Sequence, residues 1–326
     1  EVRGGLRRRL TDALGPAASA VLDLIERGAG ADAVPLGAVL RVLYAPGDDD
    51  VEVRVAARAR LETLIPGGIH PSAALAWADV GERLIRAELQ SGDESRASVQ
   101  RAEQILAELR ASEAAHLSDL LETGFEQRLA RLAEAAIRCA EGEVEAGELA
   151  AAEAVERHAL ARLQPQRARA ARMAVRLGRW LAGPGAVDWA PESFGAAAVG
   201  YTRELSFVDW ARRTLWGGDR APAVDDAYKR LTAQADGVRA ASDKRFAGLL
   251  AGWLAAGASP LEGVILLENV LDEVVAPLAR EQPLLLLVAD GMSVDIANEL
   301  VNELVRRGWA ELAPEEAEAS RTGLAC

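Results

Sequence analysis

Between Pro283 and Trp309, in PLLLLVADGMSVDIANELVNELVRRGW, the periodicity of the chain changes, and nowhere earlier does it break in this way. The run Leu284-Leu285-Leu286-Leu287-Val288-Ala289 is apolar at every position. It lacks the alternation of a half-wet strand, and so predicts a strand covered on both faces, as in a parallel sheet packed by helices. After Asp290-Gly291, apolar residues return at three- and four-residue spacing, and Val294, Ala297, Leu300, Val301, Leu304 and Val305 predict a single helix face. Ser293 suits the N-cap, Arg306 and Arg307 the last turn where the dipole favours cations, and Gly308 the C′ position. The pattern reads as strand, tight turn, helix. Asp290 stands at the carboxyl end of the strand, the edge where open α/β sheets build their sites, and Gly291 frees the backbone to turn sharply. A purely structural turn is the alternative for such a carboxylate.

Upstream the chain reads as helix throughout. Breakers at 45–50, 66–68, 182–193, 217–219 and 257–260 separate blocks of helical spacing. One block carries a four-residue stripe of Leu117, Leu121, Phe125, Leu129, Leu132 and Ala136. Another, after Pro260, puts Leu267, Val270, Leu271, Val274 and Leu278 on one face. No repeat period is visible, and no strand is predicted before Leu284. The expected fold class is mainly α: a multi-helix array or bundle over 1–183, a second helical region over 192–280, then the first strand-helix unit of an α/β domain over 281–326. At 326 residues and half hydrophobic, the chain can bury a sizeable core.

The formal charge of −13 opposes general binding to nucleic acid or an anionic membrane, although a local basic face is compatible with it. No apolar run reaches membrane-span length and the amino terminus has no signal-peptide pattern, so a cytoplasmic protein is expected. Cys139 and Cys326 form neither a disulfide framework nor a zinc knuckle. Arginine outnumbers lysine 35 to 2, a skew assigned to coding bias and not to binding. Asp48, Asp49 and Asp50 lack the spacing of a calcium loop and read as a solvated turn. His70, His116 and His158 are expected at helix ends or on the surface. Arg162, Arg167, Arg169, Arg172, Arg176 and Arg179 form a basic segment that would suit phosphate or a partner's acidic helix. The favoured expectation is an antiparallel hairpin in which the preceding glutamates, Glu141 to Glu156, neutralise it, or simple solvation. P-loop, dinucleotide, HExxH and GxSxG motifs are absent.

Taken together, Val274-Val275-Ala276-Pro277-Leu278-Ala279, the LLLLVADGMS stretch and Arg307-Gly308-Trp309-Ala310-Glu311-Leu312 resemble the PglZ family of bacterial anti-phage systems (BREX and phage growth limitation). Ser206-Phe207-Val208-Asp209-Trp210-Ala211-Arg212 and Asp243-Lys244-Arg245-Phe246-Ala247 are similar to the helical region preceding that family's catalytic domain. The resemblance covers about Tyr201 to Leu312. It implies an α/β domain of the alkaline phosphatase superfamily, in which the first motif is a strand ending in a metal-ligating Asp, here Asp290. A divalent ion, zinc or similar, would activate a Ser or Thr nucleophile. The matching turn is Ser320-Arg321-Thr322-Gly323-Leu324, with Thr322 the candidate nucleophile and Ser320 the alternative; a polar segment without catalytic role is the plain reading of the same residues.

Such a site needs further Asp and His ligands, yet the three histidines lie far upstream and only Asp290 offers a matching ligand. With no initiator Met at position 1, the chain is expected to be the amino-terminal part of a longer protein, catalytically incomplete by itself. The expected function is part of a metal-dependent phosphatase or phosphodiesterase in anti-phage defence, with the other proteins of that system as partners and no membrane or direct nucleic-acid contact. The alternative is a non-enzymatic helical scaffold that assembles a defence complex.

Overall fold

A computed structural model of the chain describes residues 4, 5, 8, 9, 11, 12, 15–47, 49–91, 96–143, 147–183, 189–261 and 264–310. These are predominantly helical and fall into two compact units, one of Glu1–Ala135 with Ala146–Ala171, the other of Ala136–Glu145 with Arg172–Cys326.

The first unit is built on α1 (Ala18–Glu26), α2 (Ala33–Tyr44), α3 (Val51–Leu61), α4 (Pro71–Gln90) and α5 (Ala97–Glu108). It continues through a 3₁₀ segment, Ser112–Leu117, into α6 (Glu122–Ala140), α7 (Gly147–Arg157), α8 (Ala159–Leu163) and the start of α9 (Pro165–Ala182). Helix α2 is its centre. Leu36, Val39, Leu40 and Leu43 are fully buried, because α2 packs against α4 on one side and α5 on another. Gly37 and Gly81 let α2 and α4 approach backbone to backbone, and the Trp77 indole N–H reaches across to the Ala33 carbonyl at 2.7 Å. Of the predicted stripe, Leu121, Phe125, Leu129, Leu132 and Ala136 are buried, while Leu117 is half-buried and belongs to the 3₁₀ segment. The stripe starts as helix only at Glu122. Gly124 lies so close to the Ala115 carbonyl that any Cβ there would overlap it, so the preceding 3₁₀ turn folds back onto the helix start.

Two arginines of α3 complete the first unit. Arg54, 2% exposed, donates to the carbonyls of Ala45 and Gly47 at 2.5 and 2.6 Å, and Arg58 to that of Leu43 at 2.7 Å. They satisfy carbonyls that the end of α2 and the turn after it would otherwise leave open. Arg101 grips Asp32 with two 2.8 Å bonds, and this hydrogen bonding holds the Asp32 carboxyl below its ordinary range. His70 caps α4 through a 3.3 Å bond from the Ser72 N–H, as a helix entry before Pro71 should. The other two histidines also stand at helix ends, but buried: His116, 7% exposed, in the last turn of the 3₁₀ segment, and His158, 1% exposed, capping α8 through its Nδ1.

The second unit holds the rest of α6 and α9, then α10 (Phe194–Gly200), a π-turn over Tyr201–Leu205, α11 (Ser206–Trp216) and the long α12 (Pro222–Ala255). Val208, Ala211 and Leu215 of α11 meet Val224, Tyr228 and Leu231 of α12 in its core. The helix expected after Pro260 is broken: a 3₁₀ turn, Leu267–Asn269, precedes a π-turn, Leu271–Val275, and α13 (Ala276–Glu281). Pro277 explains the widening, since its ring crowds the carbonyl four residues back and offers no N–H to it. The chain ends its described part with α14 (Val294–Arg306).

The predicted strand is the main correction. Among the described residues there is no β-strand, and 283–289 carries no regular structure and no backbone hydrogen bond. Leu285, Leu287 and Val288 are 80%, 81% and 83% exposed. A continuous apolar run shows that both faces want cover without saying what supplies it, and no described segment pairs with this one.

Candidate functional site

Asp290 and Gly291 form the turn between this bare segment and α14. Asp290 is exposed, Gly291 has φ +72°, and space around Gly291 is open. Asp290 has no hydrogen-bond or ion-pair partner among the described residues. The chemistry that fixes the turn lies just beyond it. Arg213 of α11 forms an ion pair with Asp295, whose residue is 3% exposed, and donates to Ser293 Oγ at 3.2 Å. Asn298 Nδ2 donates to Ser206 Oγ at 3.2 Å and lies 3.5 Å from the Thr202 carbonyl. Ser293 has the extended backbone of an N-cap, but its hydroxyl accepts from Arg213 and makes no cap bond. At the other end Gly308, φ +90°, closes a Schellman cap, with Trp309 N–H to Leu304 O at 3.1 Å and Gly308 N–H to Val305 O at 3.0 Å.

Helix α14 is therefore docked by its polar side. Most of its predicted apolar face is open: Leu300 is 47% and Val305 49% exposed, with Val301 and Leu304 also exposed and Val294 and Ala297 half-buried. Neither Asp295 nor Arg213 stands out in the sequence. An Asp in the first turn of a helix is ordinary dipole chemistry, and nothing in its neighbours signals burial.

Beside Arg213, a cleft of about 350 Å³ is lined by Asp209, Arg212, Trp216, Thr232 and Asp236. Its charges are already matched. Asp209 accepts from Arg212 at 2.9 Å, Arg239 at 3.1 Å and the Tyr201 hydroxyl at 3.0 Å, while Asp236 accepts from Arg212 at 2.6 Å. Burial opposes the charge of Arg212, but its bonds to Asp236 and Asp209 outweigh it and raise its pKa. Burial, followed by the Asp209 charge, pushes the Tyr201 hydroxyl up to about 12. A network so fully paired stabilises a helix junction and leaves no activated acid or base.

The metal expectation meets the same limit. Among the described residues no group of three or more His, Cys, Asp or Glu side chains could hold an ion, and Asp290 stands as a single carboxylate. One ligand does not make a zinc-type site, so the described residues do not fit the implied metal. The candidate nucleophiles Thr322 and Ser320 lie outside the described residues, as does Asp48 of the acidic turn.

Residues 1–120 match the family model of the BREX system PglZ second domain. No curated protein and no solved structure matches the chain. The matched part comprises α1 to α5 and the 3₁₀ segment, and so lies upstream of the stretch whose residues resemble the same family. No helix among the described residues is long and apolar enough to cross a membrane.

Proposed function

We propose, taking residues 1–120 as the PglZ second domain they match, that this chain works in a BREX anti-phage system as the helical part of a PglZ-type component. Its partners are then the other proteins of that system, and its compartment the cytoplasm. The family match carries this assignment, because it falls on the half of the chain that supplied no resemblance in the sequence.

Within that assignment we place the start of a phosphatase-like catalytic domain at 281–326. In support, the all-apolar run 284–289 and the open face of α14 are both surfaces that a sheet packed by helices would cover. Asp290 would be one carboxylate of a divalent-metal site whose other ligands lie outside the described residues, with Thr322, or Ser320, as nucleophile. The scaffold reading is favoured by a different observation: the charged networks of the described residues tie helix to helix.

Phage plating on cells carrying the defence system separates the two. With Asp290→Asn the enzyme reading expects protection to collapse while the protein accumulates normally; retained protection leaves Asp290 a turn residue and favours the scaffold. In parallel, the purified chain of residues 1–326 is expected to show no chelator-sensitive hydrolysis of an aryl phosphate. Robust turnover there would mean that the catalytic ligands are complete within it.

A further inference from the structure

Several charges of the basic segment of α9 and of the acidic run before it are paired within the fold. Arg167 bonds Glu126 at 2.6 and 2.7 Å, Glu141 pairs with Arg230 at 2.9 Å, and Glu153 with Arg157 at 3.7 Å. Arg176 and Arg179 have no ion pair among the described residues. Both are exposed and share one face of α9 at three-residue spacing. Arg176 stacks its guanidinium over Phe207 and Trp210 of α11, 5.1 and 6.0 Å from the ring centroids, and Trp180 meets Phe207 edge-on at 6.3 Å. Phe207, Trp210 and Trp180 are half-buried.

A guanidinium resting on two aromatic rings has lost much of its rotamer freedom before any ligand arrives, and its N–H edge remains free for a bidentate oxyanion. Arg and Trp side by side, partly exposed and held rigid, are the residues that dominate protein interfaces. The one acid of α11, Asp209, does not compensate Arg176 and Arg179, because it is held by Arg212 and Arg239. The patch is thus a local positive face on a chain of charge −13. Two features favour a protein over single-stranded nucleic acid. The overall charge repels a polyanion, and Arg176 covers the ring faces of Phe207 and Trp210 on which bases would stack.

We infer that the Arg176-Arg179 face of α9, backed by Trp180, Phe207 and Trp210, docks an acidic segment of a partner protein. Carboxylates of that segment engage the two arginines, and its apolar stems lie against the indoles. The site is independent of Asp290 and of any phosphatase activity.

The test is fluorescence anisotropy on the whole chain with three labelled probes: a Glu-rich helical peptide, the same peptide with Gln for Glu, and a single-stranded thymidine oligonucleotide. The Glu peptide should bind, weaken with added salt, and bind at least about tenfold more tightly than the other two. Arg176→Glu with Arg179→Glu should abolish this binding and create binding of a Lys-rich peptide, whereas Arg176→Lys, which keeps the charge and loses the flat stack, should weaken it severalfold. Should the double variant fail to fold, as judged by circular dichroism, Arg179→Glu alone carries the test, since that exposed side chain makes no hydrogen bond or ion pair among the described residues. Failure of the Glu peptide to bind the wild type, equal binding to the charge-reversed protein, or tighter binding of the oligonucleotide would each overturn the inference.

Discussion

Gly37 and Gly81 face one another where α2 crosses α4, and a Cβ on Gly37 would stand 2.8 Å from the Cα of Gly81. No side chain can yield there, because what it would meet is backbone. Gly37→Ala should therefore destabilise the protein by about 1–3 kcal/mol despite the helix propensity that alanine adds. Gly237→Ala in α12, where a Cβ meets nothing within 4 Å, is the control and should stabilise by about 0.4–1 kcal/mol. Thermal denaturation of both variants reads the two signs directly.

Arg54 is buried with its two terminal guanidinium nitrogens on the carbonyls of Ala45 and Gly47. Removing it leaves two acceptors dry and a void between α2 and α3. Arg54→Ala should cost about 2–4 kcal/mol, and Arg54→Lys should recover only part, since one ammonium cannot span both carbonyls with the same geometry. Urea titrations of the three proteins give the comparison.

How far the sequence alone reaches is visible in these two cases. Gly47, Gly67, Gly68, Gly257 and Gly308 all adopt positive φ at the breaks or caps where their neighbours predict them, because a turn signal is local and needs no partner. The Leu121-to-Ala136 stripe is legible for the same reason. Arg54, His158 and Asp295 are not, since their types usually signal surface, and His158 and Asp295 are packed against residues tens of positions away. At the candidate site, the turn at Asp290-Gly291 and the cap at Gly308 are legible; the Arg213 clamp is not, being a pairing across 82 positions of the chain. The segment 284–289 marks the opposite limit: its pattern states how a strand should be covered, and the described residues do not provide the cover.

His158 predicts an acid weakness in the first unit. It is packed against Phe125 with ring centroids 5.0 Å apart, and burial first, then the Arg128 charge, lower its pKa to about 3 from 6.5; Arg86 adds in the same direction and Asp119 opposes. The folded value lies below the unfolded one, so the unfolded chain takes up the extra proton. The stability tied to neutral His158 is complete above pH 6.5 and is lost as pH falls from there towards 3. Between pH 7.5 and 5.5 the wild type should lose about 1 kcal/mol more than His158→Asn, whose amide can keep the cap to Leu160 without titrating. Equal losses in denaturant titrations at the two pH values would remove His158 from the account.

Arg213 and Asp295 form a clamp that can be opened from either side. Arg213→Ala strands a buried carboxylate and should cost about 3–5 kcal/mol locally, releasing α14 from α11. Replacing both, with Asp295→Asn alongside, removes the stranded charge and should restore part of the loss. Hydrogen exchange over 294–306 is the direct readout: fast exchange in the single variant, slower in the double.

Leu285 and Leu287 decide whether the bare segment is a strand awaiting its sheet. In the described chain both are about four-fifths exposed, so Leu285→Lys with Leu287→Glu should leave the melting temperature unchanged and reduce self-association of the purified chain. Charges of both signs keep the net charge at −13, so any change in solubility reports the lost apolar surface and not added repulsion. In the assembled defence system the outcome reverses if a sheet covers both faces: two buried leucines become unpaired charges, which a packed interior does not accommodate, and phage protection should fail. Unchanged protection together with improved solubility would mean that the segment stays exposed in the working protein, and that 284–289 is not the first strand of a catalytic domain.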